Sequence, residues 1–235
     1  TIVNNNFTIS SIITLNGDAI EAKGNIIFTD TSWNGSSKII GNGTGTQSFT
    51  GSGVCGVTMD VNKLSGVVSL GSNRTFLGAT VDLNLIAGTF NCNNRVLTIP
   101  NNLVITGGVF NADTGTVIYS GVNVDITNGN YYNLTLNNTN QVLTITNNLI
   151  VNNTLTFTRI KTINGDAIEA KGNINFADTS WNGTSNMIIN GTGTQTFTGA
   201  GVCGVPMDVN KVSGTVELGA NCILLGVASD LNLIA

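Results

Sequence analysis

Asp18, Glu21 and Lys23 stand together in the string GDAIEAKGNI, Gly17–Ile26, and recur letter for letter as Asp166, Glu169 and Lys171 in Gly165–Ile174. Only 9% of the chain is charged, so a dense charge group repeated intact invites a chemical reading. If the string is a strand, Glu21 and Lys23 point to one side while Ile20 and Ala22 point inward. An exposed ion pair of this kind is worth ~0.2–1 kcal/mol and would simply mark a wetted strand face. The same charges could instead pair with a second molecule and set its register. Calcium is the third reading, but two carboxylates per copy without a glycine-aspartate loop are a thin ligand set, and the repeated calcium motif GGxGxDxUx is absent.

Threonine supplies the second candidate surface. Thr192, Thr194, Thr196 and Thr198, with Thr44, Thr46, Ser48 and Thr50 in the other copy, would place rows of hydroxyls on one strand face. An ice-binding face is one use of such rows; ordinary exposed strand threonine is the other. Cys55 and Cys203 are equivalent, Cys222 faces Arg74, and Cys92 has no counterpart. That pattern suits small buried hydrophobes, with a Cys203–Cys222 bridge left open. Trp33 and Trp181 sit in the turn sequence DTSWNG, where they either pack over a strand end or stack on a sugar. Sequons at Asn6, Asn34, Asn42, Asn73, Asn133, Asn182 and Asn190 arise by chance in so much Asn and Thr.

Catalysis finds no footing. The chain has no histidine and no Asp-Asp pair, and Arg74, Arg95 and Arg159 are not shared between copies. Enzymes on parallel β-helices need acids, bases or metal ligands gathered in one groove. A net charge of −4 with nine scattered Lys and Arg argues against nucleic acid. No apolar stretch reaches the ~18 residues of a membrane span. No signal-peptide pattern opens the sequence, so any such leader would lie outside it. No cofactor is expected.

The elements that position these groups follow from the repeat. Displaced by 148 residues, residues 1–87 align without a gap on 149–235, with about 60 of 87 positions identical. Ile26 and Phe28 persist as Ile174 and Phe176, while Ile27 becomes Asn175. Val68 and Leu70 persist as Val216 and Leu218, while Val67 and Ser69 become Thr215 and Glu217. Holding alternate positions is the period of a strand with one buried face.

Shorter likenesses occur within one unit: LTIPNNLVI at Leu97–Ile105 resembles LTITNNLIV at Leu143–Val151. Cutting at Gly and Asn clusters gives six segments per unit of about 20 to 33 residues, the size of β-helix coils. The expectation is an all-β, right-handed parallel β-helix (β-solenoid) continuous over 1–235, its handedness taken from parallel crossovers in general. Residues 1–87 and 149–235 are its equivalent copies, and 88–148 complete the first unit. About nine or ten coils at ~4.8 Å would make a rod of roughly 45 Å, with Asn and Thr ladders satisfying the turns.

The strings GTGTQSFTGSG (Gly43–Gly53), SGVVSLGSN (Ser65–Asn73) and NYYNLTLNN (Asn130–Asn138) resemble the repetitive Asn/Gly/Thr-rich β-solenoid segments of bacterial surface proteins and adhesins. That resemblance implies a secreted, structural or adhesive role and brings no catalytic residue. The expected function is therefore a non-catalytic extracellular structural protein, a self-associating segment of a surface fibre or sheath, assembling head-to-tail or laterally. The alternatives are an adhesin stalk that spaces a binding domain from the cell surface, with contact to that surface or a glycan, and an ice-binding face. Asp18, Glu21, Lys23, Asp166, Glu169 and Lys171 are the candidate assembly contacts.

Overall fold

The computed structural model describes residues 1–78, 80–122, 124–138, 142–225 and 231–234. Asp230 and Ala235, which the sequence alignment places opposite Asp82 and Ala87, lie outside the described residues. Among the described residues all regular structure is β, and parallel strands stack as a β-solenoid of about 11 turns. The chain divides into two compact units, Thr1–Val117 and Ile118–Ala235.

In the first unit the strands form three columns. Ile20, Ile39, Met59, Leu83 and Leu103 lie in register in the first, so successive coils take 19, 20, 24 and 20 residues. The second column runs from Phe7–Ile9 through Ile26–Phe28 and Gln47–Thr50, then along the far ends of Met59–Leu70 and Leu83–Asn91 to Val109–Asn111. Thr14 with Asn34, Cys55 with Phe76, and Arg74–Thr75 with Leu97–Thr98 make the third.

The second unit repeats the arrangement. Gly129, Leu149, Ile168, Met187, Met207 and Leu231 share one column, with coils of 20, 19, 19, 20 and 24 residues. Leu155, Ile174, Phe197 and Leu218 share the next. Coils at the short end of the expected range explain why about 11 turns occur where nine or ten were expected.

The period-2 pattern decides what is inside. Ile26 and Phe28 have no exposure at all, while Ile27 between them is half-buried and outward. The interior is a stack of apolar rings and branched chains. Phe28 meets Phe49 edge-on at 5.2 Å between centroids, and Phe157 stacks on Phe176 at 5.6 Å. Edge-to-face and offset aromatic pairs add about 0.5–1.5 kcal/mol each beyond burial.

Corners are where the sequence needs glycine. At Gly35 an added Cβ would sit 1.8 Å from the carbonyl oxygen of Leu15 in the coil below, and at its copy Gly183 1.8 Å from that of Ile163. Backbone passes over backbone there, and no side chain fits.

The two copies predict their own mutational test. Ile27→Asn, the exchange already present at Asn175, should change stability by no more than about 0.5 kcal/mol. Ile26→Ala should cost about 2–5 kcal/mol through the cavity it leaves. Equilibrium unfolding in denaturant separates the two; equal losses would mean that the outward and inward faces are misassigned.

Candidate functional site

The charge groups lie on the outer side of the first column. Glu21 sits in register between Ile2 and Ile40, and that outward row continues through Asp60 and Asn84. Lys23 pairs with Glu21 at 3.1 Å, and Asn42 on the next coil donates to the same carboxylate at 2.9 Å. The Asn42 amide first, and the Lys23 ammonium second, hold the Glu21 carboxyl below its ordinary range. In the other copy Asn190 donates to Glu169 at 3.0 Å, and Lys171 occupies the position of Lys23. Asp18 is exposed in the bend before its strand. Its copy, Asp166, accepts the backbone N–H of Asn147 at 2.7 Å. Among the candidate assembly residues, Glu21, Glu169 and Asp166 each tie a coil to its neighbour.

Other carboxylates do the same work. Asp30 accepts the N–H of Ser32 at 3.0 Å and reaches back to that of Ile12 at 2.7 Å. Asp178 repeats this with Ser180 and Ile160. Asp60 takes Lys38 at 3.0 Å and Asn84 at 2.7 Å. Lys38 becomes Asn186 in the second copy, and that amide still donates to Asp208. Asparagine ladders join coils too: Asn153 donates to Asn133 at 2.8 Å, and Asn6 accepts the N–H of Asn25 at 3.2 Å.

The threonines are placed differently from the expectation of four hydroxyls on one strand. The strands span only Gln47–Thr50 and Gln195–Thr198. Thr44 and Thr192 lie in bends, and Thr46 and Thr194 immediately precede the strands. The reason is the buried glutamine that opens each strand and folds the preceding Gly-Thr-Gly over itself. Thr196 and Thr198 do face outward, but their rows are mixed. Thr196 stands beside Glu217, Thr198 beside Asn175, and Thr50 beside Ile27.

That glutamine is the group that sequence reasoning missed. Gln47 is buried, donates to the carbonyls of Ala22 at 2.8 Å and Gly24 at 2.6 Å, and accepts the N–H of Gly43 at 2.9 Å. Its oxygen also receives the Lys63 ammonium at 2.7 Å, and that buried ammonium donates in addition to the carbonyl of Gly43. Gln195 and Lys211 reproduce the network with Ala170, Gly172, Gly191 and Gly193. Burial pushes the pKa of both lysines down, while the carbonyls around them favour the charged form. The available signal was the inward parity of Gln47 with Phe49.

Arg74 is a second buried cation. Its guanidinium lies 4.2 Å from the centroid of the Phe49 ring and donates to the carbonyls of Gly53 and Gly51 and to Ser72 Oγ. Burial lowers its pKa to about 10, so it stays charged at neutral pH. In the other copy both Ser72 and Arg74 are changed, to Ala220 and Cys222: the cation and its hydroxyl partner leave together.

All four cysteines are free. Burial pushes Cys55, Cys92 and Cys203 each up to about 12, so they are thiols at neutral pH and pack as small hydrophobes. Trp33 and Trp181 are buried, donating through Nε1 to Val54 and Val202 at 2.9 and 2.6 Å. Neither presents a ring face for a sugar. Among the described residues no group of three or more Asp, Glu or Cys is placed to hold a metal ion. No helix among them is long and apolar enough to cross a membrane. Compared with known proteins, the chain matches no family, no curated protein and no solved structure.

Two experiments test these assignments. Gln47→Leu removes one acceptor from the buried Lys63 ammonium and the side-chain partner of three backbone groups, and should cost about 3–5 kcal/mol. Adding Lys63→Met should recover part of that loss, so a double-mutant cycle read by unfolding must show coupling; additive losses would remove the network. The backbone N–H of Ser32 first, then that of Ile12, hold the Asp30 carboxyl below its ordinary value. A carboxyl whose folded pKa is depressed stabilises above its unfolded pKa and loses that contribution as pH falls through the folded one. Stability should therefore drop as pH falls below about 4. Asp30→Asn should be less stable at pH 7 and show a shallower acid loss, and an unchanged pH profile would rule the clamp out.

Proposed function

We propose that the chain is a non-catalytic structural protein, a self-associating β-solenoid segment of an extracellular fibre or sheath. The observation that carries this reading is the identical strand register of the two copies. Ile20, Ile39, Met59 and Leu83 stack in one, and Ile168, Met187, Met207 and Leu231 stack in the other. A sequence that repeats the same stacking unit specifies extension along one direction by a single kind of contact, coil on coil. The charged and amide groups support the same reading, because they are engaged in holding successive coils together rather than gathered around a cleft.

The resemblance of GTGTQSFTGSG, SGVVSLGSN and NYYNLTLNN to repetitive segments of bacterial surface proteins supports an extracellular, cell-surface setting. It also supports the second reading, an adhesin stalk that holds a binding domain away from the cell. The mixed outward rows give an ice-binding face no comparable support, since such a face needs threonine pairs in register on every coil.

Electron microscopy of the purified chain over a concentration series, without ligand, tests the proposal. Fibres that lengthen with concentration and carry an axial repeat of ~4.8 Å are the expected result. Discrete short particles at every concentration would overturn self-association and leave the stalk as the better account.

A further inference from the structure

The two copies test the outer surface as well as the core. Along the outward row of the first column, Ile2, Glu21, Ile40, Asp60 and Asn84 stand in register. Their copies Ile150, Glu169, Ile188, Asp208 and Asn232 stand in the same register, and all five residues are unchanged. The second column shows how outward positions behave when less constrained. Of Thr8, Ile27, Ser48, Thr50 and Ser69, only Thr8 and Thr50 are kept, while the others become Asn175, Thr196 and Glu217.

Bonds between coils account for part of this difference. Asn42 and Asn190 donate to Glu21 and Glu169, and Asn84 and Asn232 donate to Asp60 and Asp208. They do not account for Ile40 and Ile188. Each is an outward, half-buried isoleucine with a glutamate on one neighbouring coil and an aspartate on the other. The fold does not require isoleucine at an outward position, since Ile27 is asparagine in the other copy. Farther along the coils of Asp60 and Asp208, Leu64 and its copy Val212 are 102% and 88% exposed. Another coil stacks on each of theirs, so an open edge is not the cause.

Charges on this side are of both signs. Glu21, Lys23 and Lys38 keep 37%, 35% and 43% of their side chains exposed. A partner of a single sign would be repelled by one set of them. The same face of a second copy, turned about a two-fold axis, sets lysine opposite carboxylate and isoleucine against isoleucine.

We propose that the outward face of the first column, centred on Ile40 in one unit and Ile188 in the other, is where copies of this chain pack side by side, like face on like face. The proposal rests on the self-association reading above and assigns its lateral contact. The contact is isologous, so the same residues serve both partners. One such face in each unit gives every chain two places to hold a neighbour.

Electron microscopy of the full chain, read as the width of its assemblies, tests the face. The wild type should form assemblies two or more chains wide. Ile40→Asn with Ile188→Asn should reduce them to one chain wide, while Ile27→Asn, the same exchange on the second column, should leave the width unchanged. Circular dichroism checks that each variant is folded. If the asparagine pair does not fold, Lys23→Glu with Lys171→Glu tips the face toward one sign and should narrow the assemblies in the same way. Variant assemblies as wide as the wild type, or equal narrowing by Ile27→Asn, would overturn the face and leave self-association standing. Wild-type assemblies only one chain wide would overturn side-by-side packing, again leaving association end to end. A wild type that assembles at no concentration removes the self-association reading and this proposal together.

Discussion

A parallel strand edge has to be met by another strand of the same register, and the rest of this molecule follows from that requirement. Each coil offers unpaired N–H and C=O groups to the next, so the stacking direction, the spacing and the alternation of inward and outward residues are set together. The interior can be narrow because one coil covers the next, and within each unit branched and aromatic side chains stack to fill it. Corners must then let backbone lie on backbone, which is why a Cβ added at Gly35 or Gly183 would come within 1.8 Å of a carbonyl oxygen of the coil below. Polar groups at those corners are met by side chains of the neighbouring coil: Asp30 and Asp178 each hold an N–H of the coil before their own.

The same constraint explains how a chain with little charge comes to bury cations. A tight corner turns several carbonyls inward, toward space that water does not reach. Lys63 places a buried ammonium among such carbonyls, the half-buried Lys211 repeats the contact, and Arg74 lays a guanidinium on Phe49 while capping Gly51 and Gly53. No carboxylate is needed for this, because the acceptor is backbone. Where one member of such a group is lost, its partner is free to change. Ser72 and Arg74 give way together to Ala220 and Cys222. Lys38 gives way to Asn186, which keeps the bond to the next coil's aspartate as a neutral donor.

The structural role proposed above draws on the repetition rather than on a pocket. Many of the acids, amides and buried bases join coil to coil, and several of these joints recur in both copies even where the residue types differ, as Lys38–Asp60 does in Asn186–Asp208. What differs between copies is mostly outward: Ile27 against Asn175, Ser69 against Glu217. A structural element under such a constraint can vary its outer surface and still stack, which suits a repeating assembly better than a site that must keep a fixed set of groups.

The sequence by itself determined the all-β class, the 148-residue repeat and the inward face of the strands, because a period of two compared across two copies marks buried positions directly. It also located the charged string on one outward row, since Glu21 and Lys23 alternate with Ile20 and Ala22. Only the tertiary structure decided the coil length, the role of Gln47 and Lys63, and the true start of the threonine strands. Those depend on which residue of one coil lies over which residue of another, at separations such as the 25 residues between Gln47 and Ala22. Local pattern carries no record of such pairings, and a turn of Gly and Thr reads the same in sequence whether its carbonyls face water or a buried ammonium.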